Sequence, residues 1–537
     1  MKKTIMNKLF KNGDPYIWLT AGTLTISILM VTGLIALILV KGLGMFWPHK
    51  LVHYTLKDGA AVMGEIKKHE PIPNQKDSYR TKLKVGNREV YTLDFCWIKN
   101  QNIVLQEYPV TALTIERVEW GNMYGFFKGL KVEGGVKPFK LSDMKPLLEE
   151  NKKLHKRIRQ IEKKEIGKIN QKIENFRLKL KGLTMRQQSR NVQEKIASIQ
   201  ANIEELEKSY QTKVETLTDL YTSAQEYEVV ISLVDGSERV LPVFQIIRIY
   251  APNEMGIFEK FCFYFQKVWE FLVDDPREAN TEGGIFPAIF GTVLMVLIMT
   301  IAVVPLGVIT AVYLKEYTSD TLFARLVRIS VNNLAGVPSI VFGVFGLGFF
   351  IYFVGGGIDK MFYHEALPTP TFGTGGILWA SLTLALLTVP VVVVTTEEGL
   401  SSVPKSLKEA SYALGATKFE TLWRVVLPQA TPGILTGTIL AMARAAGEVA
   451  PLMITGVVKL APSLPLDGHF PYVHLDRKFM HLGFHVYDVG FQSPNIEAAL
   501  PMVYTTTLVL VMTVLALNMG AIIVRNKLRK RYTVSSI

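Results

Sequence analysis

The stretch that decides the fold runs from Glu397 to Pro428 and reads EEGLSSVPKSLKEASYALGATKFETLWRVVLP. Its first half predicts a short helix, because Ser402 is a residue type that caps helix N-termini and Pro404 suits a first helical turn. Gly415 adopts the left-handed conformation easily, so we expect this helix to end there. The pattern predicts a sharp corner at this glycine.

A second short helix is predicted after the corner. Thr417 and Glu420 stand at the spacing of a capping box, and Pro428 limits the helix at its far end. Two short helices that meet at a glycine form a compact knob. Apolar side chains supply much of its surface: Tyr412, Leu414, Phe419, Leu422 and Trp423.

Long apolar stretches on both sides of the knob indicate a membrane protein. Hydrophobic residues make up 49% of the chain and charged residues 20%, and a membrane-spanning helix needs about 20 mostly apolar residues. Six stretches meet this requirement: Ile17–Val40, Phe286–Leu314, Asn332–Val354, Gly376–Thr396, Gly433–Val458 and Leu500–Val524. The first stands where a signal peptide would, but its apolar run is too long and no small-residue cleavage site follows. We therefore expect a retained anchor.

The distribution of lysine and arginine predicts the orientation of these spans. With the N-terminus inside, the inner segments hold sixteen of these residues and the short outer loops hold four. Both termini and the knob are therefore expected in the cytoplasm. The net charge is +13. The basic residues lie beside the apolar runs and in one long polar segment rather than in a single basic stripe, which argues against nucleic-acid binding.

The residues that usually carry catalysis or bind metals form no pattern here. The two cysteines, Cys96 and Cys262, lack metal-ligand spacing, and a disulfide between them stays open for an oxidising compartment. No Gly-x-x-x-x-Gly-Lys-Ser/Thr sequence occurs, so the chain has no phosphate-binding loop of that type. We expect no enzyme activity, no cofactor and no metal site.

The first two spans enclose an insertion of about 245 residues, 41–285, which the orientation puts outside the membrane. Alternating apolar residues flank Asp58-Gly59 and Asp235-Gly236, and each pair predicts a hairpin turn between strands. A weak echo between Pro109-Val110 and Pro242-Val243 raises the hypothesis of an internal duplication.

The middle of the insertion has a helical pattern. Residues at about 144–222 repeat apolar side chains mostly at spacings of three and four, with charged residues between them. This predicts an antiparallel coiled-coil hairpin with two arms of roughly 35 residues. A solvated spacer and a docking arm for another protein both fit the pattern. Gly256–Val273 is too polar to span and is expected to lie along the outer membrane surface.

The fifth span contains two charged residues. Arg444 and Glu448 are four residues apart, so a helix would put them on one face, where they can pair. Charged residues inside a span face a pathway or a partner. Arg444 offers a planar set of donors to an oxyanion, with Glu448 neutralising it when the path is empty. A structural ion pair is the alternative. Pro451 just beyond predicts a bend.

The knob resembles the EAA loop of ABC importer permeases, with Ser411 and Val425 as mild departures. The resemblance implies a type I permease fold and an ATPase on a separate polypeptide that receives the loop. It assigns the coupling role to five residues: Glu409, Ala410, Gly415, Leu427 and Pro428.

Three further stretches, Glu282–Gly291, Asn332–Gly343 and Ala443–Pro451, resemble the PstA permeases of bacterial phosphate uptake systems. This resemblance implies phosphate as the substrate and the bacterial inner membrane as the location. It also implies three partners: a second, PstC-like permease, a cytoplasmic PstB-like ATPase dimer and a periplasmic PstS-like phosphate-binding protein. The long external insertion departs from the compact form of that family.

The expected architecture is an α-helical polytopic membrane protein with a large external insertion. It consists of an anchor at 1–40, the external β and coiled-coil insertion at 41–285, and a five-helix permease core at 286–537 that contains the loop 397–430. The expected function is that of a phosphate importer's permease subunit. The alternatives are a permease for another oxyanion, an ion-gradient-driven transporter, or a membrane-anchored scaffold or sensor.

Overall fold

The computed structural model of the chain describes residues 14–73, 75, 77–132, 135–137, 141–185, 190–318, 321–468 and 470–533. These residues belong to two compact units. The helical unit is drawn from Met1–Phe46, Ile285–Phe353 and Thr374–Ile537, and the β-rich unit from Trp47–Gly284 and Val354–Gly373.

The helices follow one another along the described chain with several π-helical segments between them. The α-helices are α1 (Asp14–Leu43), α2 (Arg88–Tyr91), α3 (Met144–Gln160), α4 (Gly167–Met185), α5 (Arg190–Ala224), α6 (Ile257–Val273), α7 (Phe286–Val312), α8 (Leu322–Leu334), α9 (Ser339–Phe345), α10 (Gly356–Phe362), α11 (Ile377–Ser401), α12 (Lys405–Ala413), α13 (Lys418–Thr421), α14 (Leu427–Gly447), α15 (Ala450–Thr455), α16 (Leu482–Tyr487) and α17 (Ile496–Thr533). The π-helical segments are Ile161–Ile166, Tyr313–Tyr317, Gly346–Gly355, Leu422–Val426 and Asp488–Gln492.

Six helical stretches among the described residues are long and apolar enough to cross a membrane, which confirms the predicted number of spans. They are Tyr16–Phe46, Phe286–Tyr317, Ser339–Phe362, Ile377–Ser401, Lys418–Gly447 and Ile496–Lys530. The predicted start of the third span at Asn332 is wrong, because α8 ends at Leu334 and the spanning helix begins at Ser339. Pro338 stands directly before it, and proline disfavours helical geometry in the residue that precedes it.

The core of the helical unit forms where α7, α11 and α14 pack together. Small residues let the last two helices approach closely. An added Cβ on Gly399 of α11 would lie 3.2 Å from the Cα of Gly433 on α14. One turn further along, Gly437 packs against Thr395 without room for a side chain. The two helices are therefore antiparallel, with matched positions at four-residue steps.

The β-rich unit contains two five-stranded antiparallel paths. The strands of the described chain are β1 (Leu51–Leu56), β2 (Ala61–Pro71), β3 (Tyr79–Lys84), β4 (Phe95–Lys99), β5 (Ile103–Glu107), β6 (Ala112–Arg117), β7 (Met123–Val132), β8 (Gly135–Lys137), β9 (Glu228–Ser232), β10 (Glu238–Pro242), β11 (Ile246–Tyr250), β12 (Pro276–Arg277) and β13 (Glu282–Gly283). The first sheet has the order β4-β3-β2-β1-β5, and the second has the order β10-β9-β7-β6-β11, with β8 paired to β7.

The two sheets share one topology. In both, four strands form a meander and a fifth returns to pair with the first. A short 3-10 turn precedes that last strand in each sheet, at Asn100–Asn102 and at Val243–Gln245. The predicted echo of Pro109-Val110 with Pro242-Val243 is wrong as a register, because the first pair follows β5 whereas Pro242 ends β10.

Both predicted strand hairpins are confirmed. Asp58-Gly59 joins β1 to β2, and Asp235-Gly236 joins β9 to β10. Gly59 and Gly236 each have φ of +82°, the left-handed geometry that glycine adopts without steric cost.

The helical hairpin is inserted between β7 and β9, whereas a stretch of only seven residues, 72–78, separates the equivalent strands β2 and β3 of the first sheet. Its arms run antiparallel, since Glu165 pairs with Lys213 at 2.7 Å and Arg177 with Glu207 at 3.0 Å. The first arm is longer than predicted, because α3 continues through a π-helical segment into α4. The residues that join the arms, 186–189, lie outside the described residues.

Each end of the hairpin has a specific contact within the β-rich unit. At the base, buried Asn151 donates to the carbonyl oxygens of Val243 and Ile246, at 2.8 and 3.0 Å. Near the other end, the Lys181 ammonium donates to the carbonyl oxygen of Leu367. Cys96 and Cys262, whose pairing the sequence left open, are both free thiols.

Candidate functional site

The knob is built largely as its local sequence predicts. Gly415 has φ of +84° and turns the chain between α12 and α13. The Thr417 hydroxyl accepts from the Glu420 N–H, and the Glu420 carboxylate accepts from the Thr417 N–H at 2.9 Å, which completes the predicted capping box. The predicted N-cap at Ser402 is wrong, because its hydroxyl instead donates to the Gly399 carbonyl at the end of α11.

Polar contacts attach the knob to the π-helical segment that follows α7. The Lys408 ammonium lies 2.5 Å from the Glu316 carboxylate. The Lys418 ammonium lies 4.8 Å from the centre of the Tyr317 ring, a cation–π geometry. Sequence reasoning missed these contacts because nothing in the local pattern pairs residues roughly a hundred positions apart.

Apolar side chains of the knob divide into a buried and an exposed set. Leu422 and Val426 pack inward against the core beneath the knob. Leu414, Phe419 and Trp423 point outward, and Leu414 is 90% exposed. Three such exposed apolar side chains on one small projection are typical of a surface that another protein covers.

The residues assigned to coupling occupy two environments. Glu409, Ala410 and Gly415 are exposed on the knob, whereas Leu427 and Pro428 are partly buried where the knob joins the fifth span. The predicted limit at Pro428 is wrong, because this proline stands in the first turn of α14 and interrupts nothing. From Lys418 to Gly447 the chain forms one helical stretch of 30 residues. The knob is therefore directly continuous with the fifth span.

Arg444 stands deep along this span. Gly433 faces Gly399 and Gly437 faces Thr395, so the same steps bring Arg444 to about the level of Thr388. Thr388 lies near the middle of α11, a spanning helix of 25 residues. Arg444 is thus far from either end of the neighbouring span.

The helix breaks just beyond Arg444. α14 ends at Gly447, and Glu448 has extended geometry, with φ of −77° and ψ of 134°. The expectation that both charges share one helix face is therefore wrong, although Arg444 Nε still lies 3.6 Å from Glu448 Oε1. The physical reason is Pro451, whose ring clashes with the carbonyl four residues earlier, at Gly447. Where a bend was predicted, the helix stops and α15 begins.

The side chain of Arg444 lies on an exposed face of α14. Ala441 and Ala445 are buried in the core of the helical unit, while Leu440, Arg444 and Gly447 face outward. A guanidinium at this depth is costly next to lipid. This face therefore requires either a water-filled path or another protein against it.

Two further ion pairs in the helical unit escaped sequence reasoning. Asp488 is fully buried, and its Oδ1 lies 3.3 Å from the ammonium of Lys459. Arg328 Nε likewise lies 3.5 Å from Glu397 Oε1, at the end of the fourth span. The sequence signal for Asp488 was weak, because the residue stands in a short polar stretch outside the apolar runs.

Comparison with known proteins identifies the fold family. The family model described as "Binding-protein-dependent transport system inner membrane component" matches residues 303–534. The probable ABC transporter permease protein YqgI of Bacillus subtilis is 31% identical over 263 residues, which cover 48% of this chain and 82% of that protein. The chain belongs to the binding-protein-dependent transport permease family. With its six spans, it is a multi-pass membrane protein.

Other relatives of this family carry more specific names. The phosphate transport system permease protein PstA of Mycobacterium leprae is 42% identical over 172 residues, covering 32% of this chain and 51% of that protein. The PstA 1 protein of Mycobacterium tuberculosis is 40% identical over 185 residues, covering 34% of this chain and 54% of its own length. The chain thus spans about half the length of these curated relatives.

Proposed function

We propose that this chain is the permease subunit of an ATP-driven importer of an inorganic oxyanion, with phosphate as its substrate. Arg444 is the observation that carries the proposal. It stands on an exposed helix face, level with the middle of the neighbouring helix α11 and beside the break that ends its own helix. A guanidinium presents several donors in a fixed plane and stays charged, which suits a tetrahedral oxyanion.

Glu448 supports a transport role for Arg444 rather than permanent binding. Its carboxylate is 3.6 Å from Arg444 Nε, longer than an ordinary hydrogen bond. The pair therefore neutralises the empty path without a tight bond that an entering anion would have to break. Backbone that leaves helical geometry at membrane depth belongs where protein or a water-filled path surrounds it. The break at Gly447 meets that condition only if a path or second subunit lies there.

The partner on the Arg444 face is a second permease in this proposal. A PstC-like subunit would cover Leu440, Arg444 and Gly447, so that the path runs between the two chains. A periplasmic PstS-like protein would deliver phosphate to the outer end of that path. The names of these relatives support this substrate.

The knob is the proposed contact with the motor. Leu414, Phe419 and Trp423 would enter a cleft on a PstB-like ATPase dimer, with Glu409, Ala410 and Gly415 forming the rest of the contact. Leu427 and Pro428 would pass its movement into the fifth span. The continuity of residues 418–447 supports this route, because a helix transmits a displacement at one end to the other.

Topology follows from the same proposal. The knob must face the cytoplasm to meet an ATPase, which gives two cytoplasmic termini in a bacterial inner membrane. Residues 41–285 then form an external domain between the anchor at 1–40 and the permease core at 286–537. The excess of lysine and arginine on the knob side supports this orientation.

Reconstitution tests the proposal. Vesicles would contain this chain, the second permease and the ATPase, with loaded binding protein on the external face. We expect phosphate uptake only when ATP is present on the ATPase side, and no uptake with an ATPase that cannot hydrolyse ATP. Uptake that persists without the ATPase would contradict an ATP-driven mechanism. Uptake of sulfate in place of phosphate would support an oxyanion importer and contradict phosphate as its substrate.

A further inference from the structure

The helix α6 has its charged and apolar faces arranged the opposite way from a water-exposed surface helix. Its exposed apolar side chains recur about every four residues and form one stripe, which we name the α6 stripe. Its members are Ile257, Phe258, Phe261, Phe265, Trp269 and Val273. Trp269 is 67% exposed and Phe258 is 77% exposed. A soluble surface helix would carry polar residues there.

The charged residues of α6 are used on its other side. Lys267 pairs with Glu116 of β6, and Glu270 pairs with Arg248 of β11. Glu259 accepts from the Gly256 N–H at 2.9 Å and caps the helix. The two ion pairs hold the polar face of α6 on the second sheet and leave the α6 stripe outward.

A tryptophan that directly follows the first span packs against α6. Trp47 follows directly after Phe46, the last residue of the candidate span Tyr16–Phe46. Its ring centre lies 5.3 Å from that of Phe261, edge to face, and 6.2 Å from that of Tyr264. Consecutive Cα atoms are about 3.8 Å apart, so the Cα of Trp47 lies at about that distance from the Cα of Phe46, the last residue of the span.

We propose that the α6 stripe lies in the boundary between lipid headgroups and acyl chains of the bilayer that the chain itself spans. The occupant of this surface is lipid. Aromatic and apolar side chains on one helix face are suited to this layer, and tryptophan and tyrosine concentrate at it. Trp47 directly follows the first span in the chain and packs against α6, and twelve residues separate the end of α6 from the second span.

This arrangement gives the β-rich unit a second attachment to the membrane besides its chain connections. The ion pairs of Lys267 and Glu270 make α6 part of the second sheet, so lipid contact at the α6 stripe fixes that sheet at the bilayer surface. The proposal does not depend on the transported substrate, because it rests only on the spans and on α6.

A native thiol makes a direct test available. Cys262 is exposed, and its position on the helix falls within the α6 stripe. In the full chain with Cys96→Ser, a nitroxide on Cys262 would be compared, in lipid nanodiscs, for collision with oxygen and with a water-soluble nickel chelate. Single-cysteine variants Phe258→Cys and Trp269→Cys extend the measurement. Val104→Cys, an exposed apolar position on β5 in the same unit, serves as the matched control.

We expect frequent collision with oxygen and rare collision with the nickel chelate at positions 258, 262 and 269, and the reverse at 104. Nickel access at the α6 stripe equal to that at 104 would overturn the proposal, because the stripe would then face water. Low access to both reagents would overturn it as well, since a protein would then cover the stripe. The Cys262 measurement leaves every native stripe residue in place, so misfolding of a variant cannot decide the result.

Discussion

Two charged side chains, one in each unit, differ in burial and in how fully they are paired. Glu116 of the β-rich unit is buried and meets Lys267 and also Arg277 at 3.2 Å. Arg444 of the helical unit is exposed and meets Glu448 at 3.6 Å. The first arrangement satisfies its carboxylate fully, whereas the second leaves a guanidinium with donors to spare. Removing one partner of a buried ion pair destabilises a fold, whereas a charge with unused donors inside a span indicates a site.

The two side chains also differ in whether the family model covers them. The family model covers residues 303–534, which include Arg444 and the knob but not Glu116. We therefore expect substitutions at Glu116 to change stability and substitutions at Arg444 to change transport. The predictions below test this division, from the largest expected effect to the smallest.

Replacing Glu116 should destabilise the second sheet strongly. Burial alone would raise the pKa of Glu116, but Lys267 and Arg277 outweigh it and hold the pKa at about 2. Glu116→Gln should remove on the order of 3 kcal/mol at neutral pH. Because the folded pKa lies below the ordinary value, this contribution is full above pH about 4.5 and disappears as the pH falls toward 2. Amide hydrogen exchange in β6 and β7, corrected for intrinsic rates, measures it.

The matched control is Glu238→Gln, which removes an exposed pair with Lys128 in the same sheet. Exposed pairs contribute at most about 1 kcal/mol. If both variants change exchange equally, burial of Glu116 has no special role. If the difference between wild type and Glu116→Gln persists unchanged below pH about 2, the carboxylate charge is not its cause.

Replacing Arg444 should reduce transport with little effect on folding. A hydrogen bond to a charged group contributes about 1.5–3 kcal/mol, so Arg444→Ala should lower the phosphate uptake rate roughly 10- to 100-fold. Arg444→Lys keeps the charge and loses the planar donors, so its phosphate uptake rate should lie between those of the wild type and Arg444→Ala. Arg325→Ala, an exposed position on α8, is the control. Uptake that survives Arg444→Ala would make the ion pair structural and would remove the contrast with Glu116.

Disrupting the exposed face of the knob should weaken ATPase binding. Leu414→Ser and Trp423→Ser each remove an exposed apolar side chain, and we expect roughly tenfold weaker binding from either. Phe470→Ser is the control, since Phe470 is 84% exposed but stands in the loop between the fifth and sixth spans. Titrating the purified permease pair with ATPase measures the affinity. Equal affinity for the Leu414 and Phe470 variants would exclude the knob as the docking surface.

How much of the structure could be predicted from the sequence depends on how far apart in the chain the interacting residues are. Gly415 and the capping box at Thr417 and Glu420 were predictable because each depends on residues within a turn. The helix break at Gly447 was only half predicted: Pro451 signalled a disturbance, but the two charges four residues apart suggested an unbroken helix. The local residues thus predicted where the helix is disturbed, but they predicted a bend where the helix in fact ends.

Longer-range pairing was beyond the sequence pattern. Nothing local indicates that β7 pairs with β9, because the helical hairpin separates them. Nor does any pattern bring Lys408 to Glu316 or Lys267 to Glu116. Sequence reasoning predicted that Gly256–Val273 lies along the outer membrane surface, but it could not define the α6 stripe, since which side of the helix is covered depends on the sheet against which it packs.

Shortening the helical hairpin should have the smallest effect on transport. In the first sheet, which has the same strand order, only seven residues separate the equivalent strands β2 and β3, so this topology does not require the hairpin. The base must stay, because Asn151 bonds to the chain at Val243 and Ile246. We would therefore remove residues 168–211 and join Gly167 to Thr212 by a short Gly-Ser link. This keeps the pair of Glu165 with Lys213.

If the hairpin is a solvated spacer, phosphate uptake should stay within about twofold of the wild type, since no charge of the path and no residue of the knob is touched. The contact of Lys181 with Leu367 is lost in this variant, so Lys181→Ala alone is the matched control for that contact. Full assembly with the second permease and ATPase, but loss of uptake only in the shortened chain, would instead identify the hairpin as a docking arm. In that case the β-rich unit, like the helical unit, would carry a functional surface, and the division drawn from Glu116 and Arg444 would no longer separate the units by role.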